Sequence, residues 1–251
     1  MANIIIYSET VYSEKFGEYV VEIVKPPAAK VTLIDHNAKA SESLFQTVRA
    51  FKGVYDLSPE DDSYTLDNAI DDIINSKFRN QLEMIHTLWL LQGVTRAFTH
   101  QLVRYRVGTA FVQESMRFIG MKKKYQILAT HSAELHEEYI DTAVSTVVSY
   151  VNLLEKGVAG VDARGILPTN ILTSIFFDCS FATLQGLFPQ RLCCQAQKTE
   201  WQPILLEMRR LIRDTMEDGD KLEKLLRAPY EMGKECGYRA SFDRPCTWSK
   251  Q

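Results

Sequence analysis

The chain lacks an excess of either charge and lacks any long apolar run. Its 251 residues include 29 Lys and Arg against 32 Asp and Glu, a balance that argues against a protein coating nucleic acid or an anionic membrane. No apolar stretch approaches the roughly 20 residues of a membrane-spanning helix, and the N-terminus MANIIIYSET resembles no signal peptide. These absences predict a cytoplasmic protein in which any anion-binding site is local.

Patterns that bind metals are also missing. The five cysteines are odd in number, and none stands in the CxxC spacing that holds zinc or forms a redox pair. His131 and His136 are five positions apart, so they would not share one face of a helix. The sequence therefore predicts no metal site and reduced, mostly packed thiols.

The chain does have enough apolar material for a sizeable core, since 45% of its residues are hydrophobic. It contains no internal repeat, low-complexity tract or flexible linker. Hydrophobic periodicity predicts an α+β fold with a mixed first half and a helical second half. The predicted strands are 3–7, 30–35 and 83–95, and the predicted helices are 41–51, 66–77, 131–156, about 160–178, 195–215 and 220–231.

Arginine concentrates in the segment GVTRAFTHQLVRYRVGTAFVQESMRF at positions 93–118. It includes Arg96, Arg104, Arg106 and Arg117, and Glu114 is its only carboxylate. Local acidic partners for four guanidiniums are therefore missing, which argues against four surface ion pairs. A helix that reads DNA is also disfavoured, because no helix-turn-helix pattern accompanies them. An anionic ligand explains the set best, and an ion pair stays open for any single arginine.

The first half of this segment is predicted to be helical. Thr95 is expected to cap a helix that runs to about Arg104. Gln101 and Arg104 are three positions apart on that helix, so they would share a face and point past its end.

The second half of the segment is predicted to be extended. Alternation from 111 to 118 favours a strand that sends Gln113, Ser115 and Arg117 to one side. A tight bend at Gly108 would let this row and the helix face converge on one anion. Arginine suits such a site because its planar fork gives two hydrogen bonds to a phosphate or carboxylate.

Two later segments repeat the theme. DARGILPTN places Arg164 before an apolar turn, and FPQRLCCQAQ places Arg191 after Pro189 at a predicted helix start. Helix N-termini favour anions, so Arg191 there would strengthen an anion site. The alternative for each is a buried arginine bonded to backbone carbonyls, and the residues alone leave it open.

Taken together, these blocks resemble the signature of the flavin-dependent thymidylate synthases, the ThyX family. The family pattern is Arg-His-Arg, seven or eight residues and then Ser; here Arg104-Tyr105-Arg106 is followed by eight residues and Ser115. The resemblance continues through DARGILP and QRLCCQAQ and covers about 31–232, the predicted catalytic domain. Residues 1–30 are predicted as an N-terminal extension and 233–251 as a C-terminal tail.

The resemblance implies a central, mostly antiparallel sheet flanked by helices, and a homotetramer whose sites are built by several subunits. It implies reductive methylation of dUMP to dTMP with methylenetetrahydrofolate, FAD and NADPH. Arg191 matches the arginine that stabilises negative charge on the uracil ring, so it is the predicted catalytic residue.

The matched positions give two further sets of residues. The nucleotide contacts implied by the resemblance are Gln101, Arg104, Gln113, Glu114, Ser115, Arg117, Arg164 and Arg191. The implied flavin contacts are Asn80, Arg104, Tyr105, Arg106, Gln113, Ser180, Gly186 and Gln195.

Four of the flavin positions depart from the family pattern. Two histidines are replaced by Tyr105 and Gln195, and two asparagines by Ser180 and Gly186. A tyrosine packs against a flavin but carries no positive charge near neutral pH. Two alternatives to dTMP synthesis therefore stay open: a C5-methylase or hydroxymethylase of UMP or dCMP, and a non-catalytic nucleotide- or flavin-binding homologue.

Cys193 and Cys194 follow Arg191 and raise the alternative of a nucleophilic thiolate. The flavin family transfers hydride and requires no covalent enzyme nucleophile. The resemblance therefore implies that both thiols are packing residues.

Overall fold

A computed structural model describes residues 3–55, 63–76, 79–117, 123–129, 137–193 and 199–233. Its strands are β1 (Ile5–Ser13), β2 (Gly17–Val24), β3 (Lys30–His36), β4 (His86–Thr95), β5 (Thr109–Gln113), β6 (Lys124–Leu128) and β7 (Leu172–Ser180). Its helices are α1 (Ala40–Phe51), α2 (Leu66–Asn75), α3 (Arg96–Leu102), α4 (Glu137–Glu155), α5 (Gly160–Ala163), α6 (Phe181–Arg191), α7 (Trp201–Thr215) and α8 (Gly219–Leu222). Short 3-10 turns lie at Asn80–Met84, Arg164–Ile166, Glu223–Leu226 and Pro229–Met232.

The strands form two sheets. One has the order β1-β2-β6, with β1 antiparallel to β2 and β2 parallel to β6. The other has the order β3-β4-β7-β5. Sheets and helices are mixed along the chain up to β7, and helices follow it, so the predicted α+β class is confirmed.

The chain divides into two compact units. The first consists of Met1–Lys30, Leu91–Arg104 and Val112–Ile175. The second consists of Val31–Leu90, Tyr105–Phe111 and Phe176–Gln251.

The core of the first unit forms among β2, β6 and α4. Val21 and Ile23 of β2 and Ile127 of β6 are fully buried, as expected for strands with one face on a core. Tyr125 of β6 meets Tyr150 of α4 edge-on, with ring centroids 6.3 Å apart. Each fully buried large side chain stabilises the unit by about 1.5–3 kcal/mol relative to exposure.

The second unit is built mainly from amphipathic helices. α1 buries Leu44 and Val48, one turn apart, and α2 buries Ile70. Thr65 begins α2 with a capping box, because its hydroxyl accepts the Asn68 N–H and the Asn68 side chain accepts the Thr65 N–H. The helix predicted at 66–77 from the spacing of its apolar residues is thus present as Leu66–Asn75.

The prediction of a helix at 160–178 was wrong. Only α5 and the turn Arg164–Ile166 are helical there, and Leu172–Ser180 is β7. Pro168 has no N–H for a helical hydrogen bond, so it separates the two parts. Within β7 the buried side chains recur at every second position from Thr173 to Cys179, which is the strand period, and Leu172 and Ser180 are buried at its two ends.

The predicted strand at 111–118 was wrong in its second half. β5 ends at Gln113, and the Glu114 N–H donates to the Ser174 carbonyl at 3.0 Å. Residues 116 and 117 lie in a 3-10 turn. Gln113, Ser115 and Arg117 therefore do not form the alternating row that the sequence predicted.

Other predicted elements differ from the observed ones in where they begin or end. The strand at 83–95 begins at His86, after the turn Asn80–Met84, and β2 was not predicted at all. The helix at 195–215 begins at Trp201 in the described residues, and 220–231 contains a short helix and two turns. No helix in the described ranges is long and apolar enough to cross a membrane.

Candidate active site

A loop at 105–108 is held within the second unit by its backbone carbonyls. The Val107 carbonyl accepts from the Thr183 hydroxyl at 2.6 Å. The Gly108 carbonyl accepts from the Ser180 N–H at 2.9 Å. Both donors lie where β7 passes into α6, so the loop is fixed against the start of that helix.

Gly108 lets the loop pass close to Ser180. Its φ of +62° lies in the left-handed region, which glycine adopts without a steric penalty. A Cβ added at Gly108 would lie 2.6 Å from the Ser180 hydroxyl oxygen. Backbone conformation and space therefore both require glycine here.

Replacing Gly108 with alanine is expected to lower the free energy of unfolding by more than about 2 kcal/mol. The cost of a left-handed backbone conformation in alanine adds to the cost of the steric clash with Ser180. The matched control is Gly53→Ala, where φ is +83° but nothing lies within 4 Å of the added Cβ. That control carries the strain alone, about 1–2 kcal/mol. Urea unfolding of both variants measures the difference, and equal losses would contradict the contact with Ser180.

Ser180 begins α6. Its hydroxyl accepts the Thr183 N–H at 3.3 Å, and its side chain is buried. The next residue, Phe181, donates its N–H to the Ile85 carbonyl at 2.8 Å. The start of α6 is thereby anchored to the chain just before β4.

A cavity of about 290 Å³ opens beside this helix start, and its wall is mostly apolar. Its volume is close to the lower end of the roughly 300–1,000 Å³ typical of ligand pockets. The residues that line it are Glu83, Tyr105, Arg106, Val107, Ser180, Ala182, Thr183, Gly186 and Gln190. Four of the residues predicted as flavin contacts are among them.

The prediction that Arg191 lies at a helix start was wrong. Arg191 is the last residue of α6, and Pro189 lies inside this helix. The helix dipole therefore gives no support to anion binding there, since the C-terminal end carries the negative partial charge.

Aromatic groups and a hydroxyl hold the side chain of Arg191. Its guanidinium carbon lies 4.6 Å from the Trp201 ring centroid and 5.7 Å from that of Tyr105. Its Nε–H donates to the Tyr105 hydroxyl at 3.0 Å, and this hydroxyl donates to the Gln190 side-chain oxygen at 2.9 Å. The predicted catalytic arginine and the atypical tyrosine of the signature are thus direct partners.

The first unit contains a second group of predicted site residues around the end of β5. Gln113 donates its side-chain amide to the Thr99 hydroxyl of α3 at 2.8 Å. The Glu114 carboxylate accepts from the Thr173 hydroxyl at 3.4 Å. These bonds fix the start of the segment that leads to Ser115.

The two arginines predicted to bind the nucleotide in this unit differ in their contacts. The Arg117 N–H donates to the Ser115 hydroxyl at 3.3 Å, and its side chain is exposed. Arg164 is half-buried and donates Nε–H to the Val161 carbonyl at 3.1 Å. The sequence left open that Arg164 is a buried arginine bonded to backbone carbonyls. Arg164 does have such a carbonyl partner, although it is only half-buried.

Arg96 belongs with this group, although the family resemblance did not assign it a contact. One of its terminal nitrogens donates to the Glu114 carbonyl at 3.4 Å, and its buried Nε has no partner within the described ranges. Burial and the charge of Arg164 lower the pKa of Arg96, and Glu114 opposes this shift. Arg96 thus lies within electrostatic range of both the Arg164 guanidinium and the Glu114 carboxylate.

The remaining predicted site residues differ in how far their side chains are exposed. Asn80 is exposed in its 3-10 turn, Gln101 is half-buried in α3, and Arg104 and Arg106 are exposed. Arg104 belongs to the first unit and Tyr105 to the second. Gln195 lies outside the described residues.

The described cysteines are buried. Burial raises the pKa of the Cys179 thiol to about 12, and Cys193 is 4% exposed. Cys194 lies outside the described residues. The described ranges contain no group of three or more His, Cys, Asp or Glu side chains that could hold a metal ion.

Sequence reasoning missed Gln190, Thr183 and Trp201. Thr183 comes next to Val107 only through a contact between distant parts of the chain, and Trp201 is marked only by its contact with the Arg191 guanidinium. Gln190 has a local signal, since it stands beside Arg191 in the block FPQRL.

The fold and these groups define an α+β protein with half-buried and exposed arginines near one strand end and a mostly apolar cavity beside a helix start. The family model described as thymidylate synthase complementing protein matches residues 32–216, and the chain belongs to this family.

Curated relatives are named flavin-dependent thymidylate synthase. The protein from Sulfolobus acidocaldarius is 33% identical over 135 residues, which are 53% of this chain and 52% of that protein. The protein from Geobacter sulfurreducens is 24% identical over 192 residues, or 73% and 82% of the two chains. The chain thus spans about half the length of the first relative and most of the second.

A solved structure has the same fold. It is the crystal structure of a UMP/dUMP methylase, PolB, from Streptomyces cacaoi bound with 5-Br dUMP. The TM-score is 0.65 at 15% identity, and the match covers 80% of this chain and 95% of that chain. At this identity the likeness shows the fold alone.

Proposed function

We propose that the protein is a flavin-dependent thymidylate synthase that methylates dUMP to dTMP with methylenetetrahydrofolate, FAD and NADPH. Membership of the family carries this proposal. The cavity beside α6 supports it, because residues assigned to the flavin by sequence resemblance line one pocket. A cytoplasmic homotetramer, with a catalytic domain at 31–232 and sites shared between subunits, is part of the same proposal.

The cavity suits part of a flavin. A mostly apolar wall matches a planar ring system, and Arg106 at the cavity offers a cation for the anionic part of the cofactor. A Cβ added at Gly186 would meet nothing within 4 Å, so there is open space beside it. We assign Tyr105, Arg106, Ser180 and Gly186 to hold the flavin, which supplies the hydride in this reaction.

The further assignments follow the resemblance. Asn80, Arg104, Gln113 and Gln195 complete the proposed flavin contacts. The proposed nucleotide contacts are Gln101, Arg104, Gln113, Glu114, Ser115, Arg117, Arg164 and Arg191. Their arginines suit a phosphate and a pyrimidine ring that gains negative charge during the reaction.

A second candidate is a C5-methylase or hydroxymethylase of another pyrimidine nucleotide, UMP or dCMP. The observation that favours it is the pairing of Tyr105 with Arg191 at 3.0 Å, where the family pattern has a histidine. A neutral hydroxyl in this place changes the surroundings of the proposed catalytic arginine. The structural neighbour from Streptomyces cacaoi is itself named a methylase of UMP and dUMP.

The absorption spectrum of the purified protein is the first test, because bound oxidised flavin is coloured. The second is a parallel assay of dUMP, UMP and dCMP with FAD, NADPH and methylenetetrahydrofolate, with products identified by mass. We expect dTMP as the main product. A modified UMP or dCMP formed at higher kcat/KM would establish the second candidate instead. A colourless protein that ignores added FAD and forms no product would indicate a binding protein.

A further inference from the structure

Arg191 can act in one orientation only when its side chain is restrained. It is the last residue of α6, and its long side chain loses rotamer entropy when it is held in one orientation. Trp201 and the Tyr105 ring contact the guanidinium, but a face contact leaves rotation in the ring plane open. A directional bond to Nε removes that freedom.

The Tyr105 hydroxyl supplies this directional bond. It accepts the Arg191 Nε–H at 3.0 Å and donates its own proton to Gln190 at 2.9 Å. Donation to Gln190 fixes the hydroxyl rotor, so a lone pair is turned toward Nε. The Tyr105 carbonyl also accepts the Thr109 hydroxyl at 2.6 Å, so the tyrosine backbone is held as well.

A phenol suits this position better than a protonated imidazole. Its ordinary pKa of about 10 keeps it neutral near pH 7, and it both donates and accepts. A protonated imidazole has only donors and would repel the guanidinium. Tyr105 thus gives Arg191 a hydrogen-bond acceptor whose hydroxyl is fixed by its own bond to Gln190.

We infer that the Tyr105 hydroxyl is a positioning group that orients Arg191 toward the pyrimidine ring, an inference that rests on the proposed function. The Tyr105→Phe variant removes this hydroxyl and keeps the aromatic ring. We expect kcat to fall about 10- to 100-fold while KM for the nucleotide stays within about threefold. Flavin affinity, measured by titration, should stay within about threefold, since the packed ring is retained.

The matched control is Tyr12→Phe, which removes the hydroxyl of a tyrosine that is 72% exposed in β1. It should keep the parent kcat. A Tyr105→Phe enzyme with the parent kcat, a change in KM alone, or a flavin affinity that falls in step with kcat would each overturn the inference.

A double-mutant cycle tests whether Tyr105 acts through Arg191. In an Arg191→Ala background, Tyr105→Phe should lower kcat no further, because the oriented group is gone. An equal loss from Tyr105→Phe in both backgrounds would overturn positioning through Arg191.

The parent, the two single variants and the double variant can also be unfolded without cofactor or substrate. This measurement tests the inference independently of the proposed function. The coupling between Tyr105→Phe and Arg191→Ala in the unfolding equilibrium constant is expected to be about three- to tenfold. If the parent turns over none of the three nucleotides, the proposed function fails and this cycle decides alone. Measurable coupling then supports the restraint of Arg191, and strict additivity overturns it.

Discussion

Replacing Arg191 with alanine is expected to lower kcat for nucleotide methylation by about 10²- to 10³-fold, the range for losing one oriented electrostatic group at a developing charge. The structure holds this guanidinium between Trp201 and Tyr105 and bonds its Nε to the tyrosine hydroxyl. Such a group is already oriented before the substrate arrives. Its contribution should therefore appear in kcat more than in KM.

Two further variants separate this role from stability. Arg191→Lys keeps a charge but loses the planar fork and the bond to Tyr105, so its kcat should lie between those of the parent and Arg191→Ala. Arg213→Ala removes an arginine of α7 that pairs with Asp214 at 2.9 Å, outside the proposed site. It should keep the parent activity.

Steady-state kinetics at saturating nucleotide, together with thermal unfolding, measures both effects. Loss of the contacts to Trp201 and Tyr105 should destabilise the protein by about 1–2 kcal/mol. A folded Arg191→Ala enzyme with kcat within threefold of the parent would remove Arg191 from the catalytic step.

Local signals in the sequence predicted several elements correctly. Thr95 was predicted to begin a helix, and its hydroxyl accepts the Phe98 N–H at 3.0 Å at the start of α3. The helices at 41–51 and 66–77 were found because their apolar residues recur at helical spacing. Such signals lie within a few residues of the element they define, so one sequence is enough to read them.

The segment after Pro168 shows why 160–178 was misread. The run from Ile171 to Cys179 contains apolar or small residues on nearly every position, and only the buried set reveals a period of two. A strand buried on most of its length reads as a continuous apolar run, which periodicity alone does not separate from a helix. The tertiary position of β7 between β4 and β5 decided the outcome.

The site was predicted in its residue types and not in its contacts. The resemblance marked Tyr105 and Arg191, which are 86 positions apart, but nothing local shows that they share a hydrogen bond. The clash that reserves Gly108 for glycine likewise depends on Ser180, which only the fold brings close. Contacts between distant parts of a chain are set by tertiary packing, so local patterns in the amino-acid sequence do not predict them.

Replacing Arg117 with alanine is expected to weaken nucleotide binding by about 2–4 kcal/mol, or about 30- to 1,000-fold in Kd, the range for losing a charge-assisted pair in a partly desolvated site. Within the described ranges no carboxylate pairs with its exposed guanidinium. Its backbone is held by the hydrogen bond from its N–H to the Ser115 hydroxyl at 3.3 Å, and its carbonyl lies close to Gly160, where an added Cβ would be 3.2 Å from the oxygen. The side chain is therefore available to a ligand on a restrained backbone.

Calorimetry of dUMP binding to the parent and to Arg117→Ala measures the loss, with Arg227→Ala as a matched control. Arg227 is also exposed, belongs to the second unit and is not among the residues that line the cavity beside α6. Arg117→Lys should recover part of the affinity, because an ammonium keeps the charge but binds a phosphate without the two parallel hydrogen bonds. Full affinity in a folded Arg117→Ala protein would exclude Arg117 from the nucleotide site. An equal loss in Arg227→Ala would instead show that the effect reflects the overall charge of the protein, because only a direct contact depends on which arginine is removed.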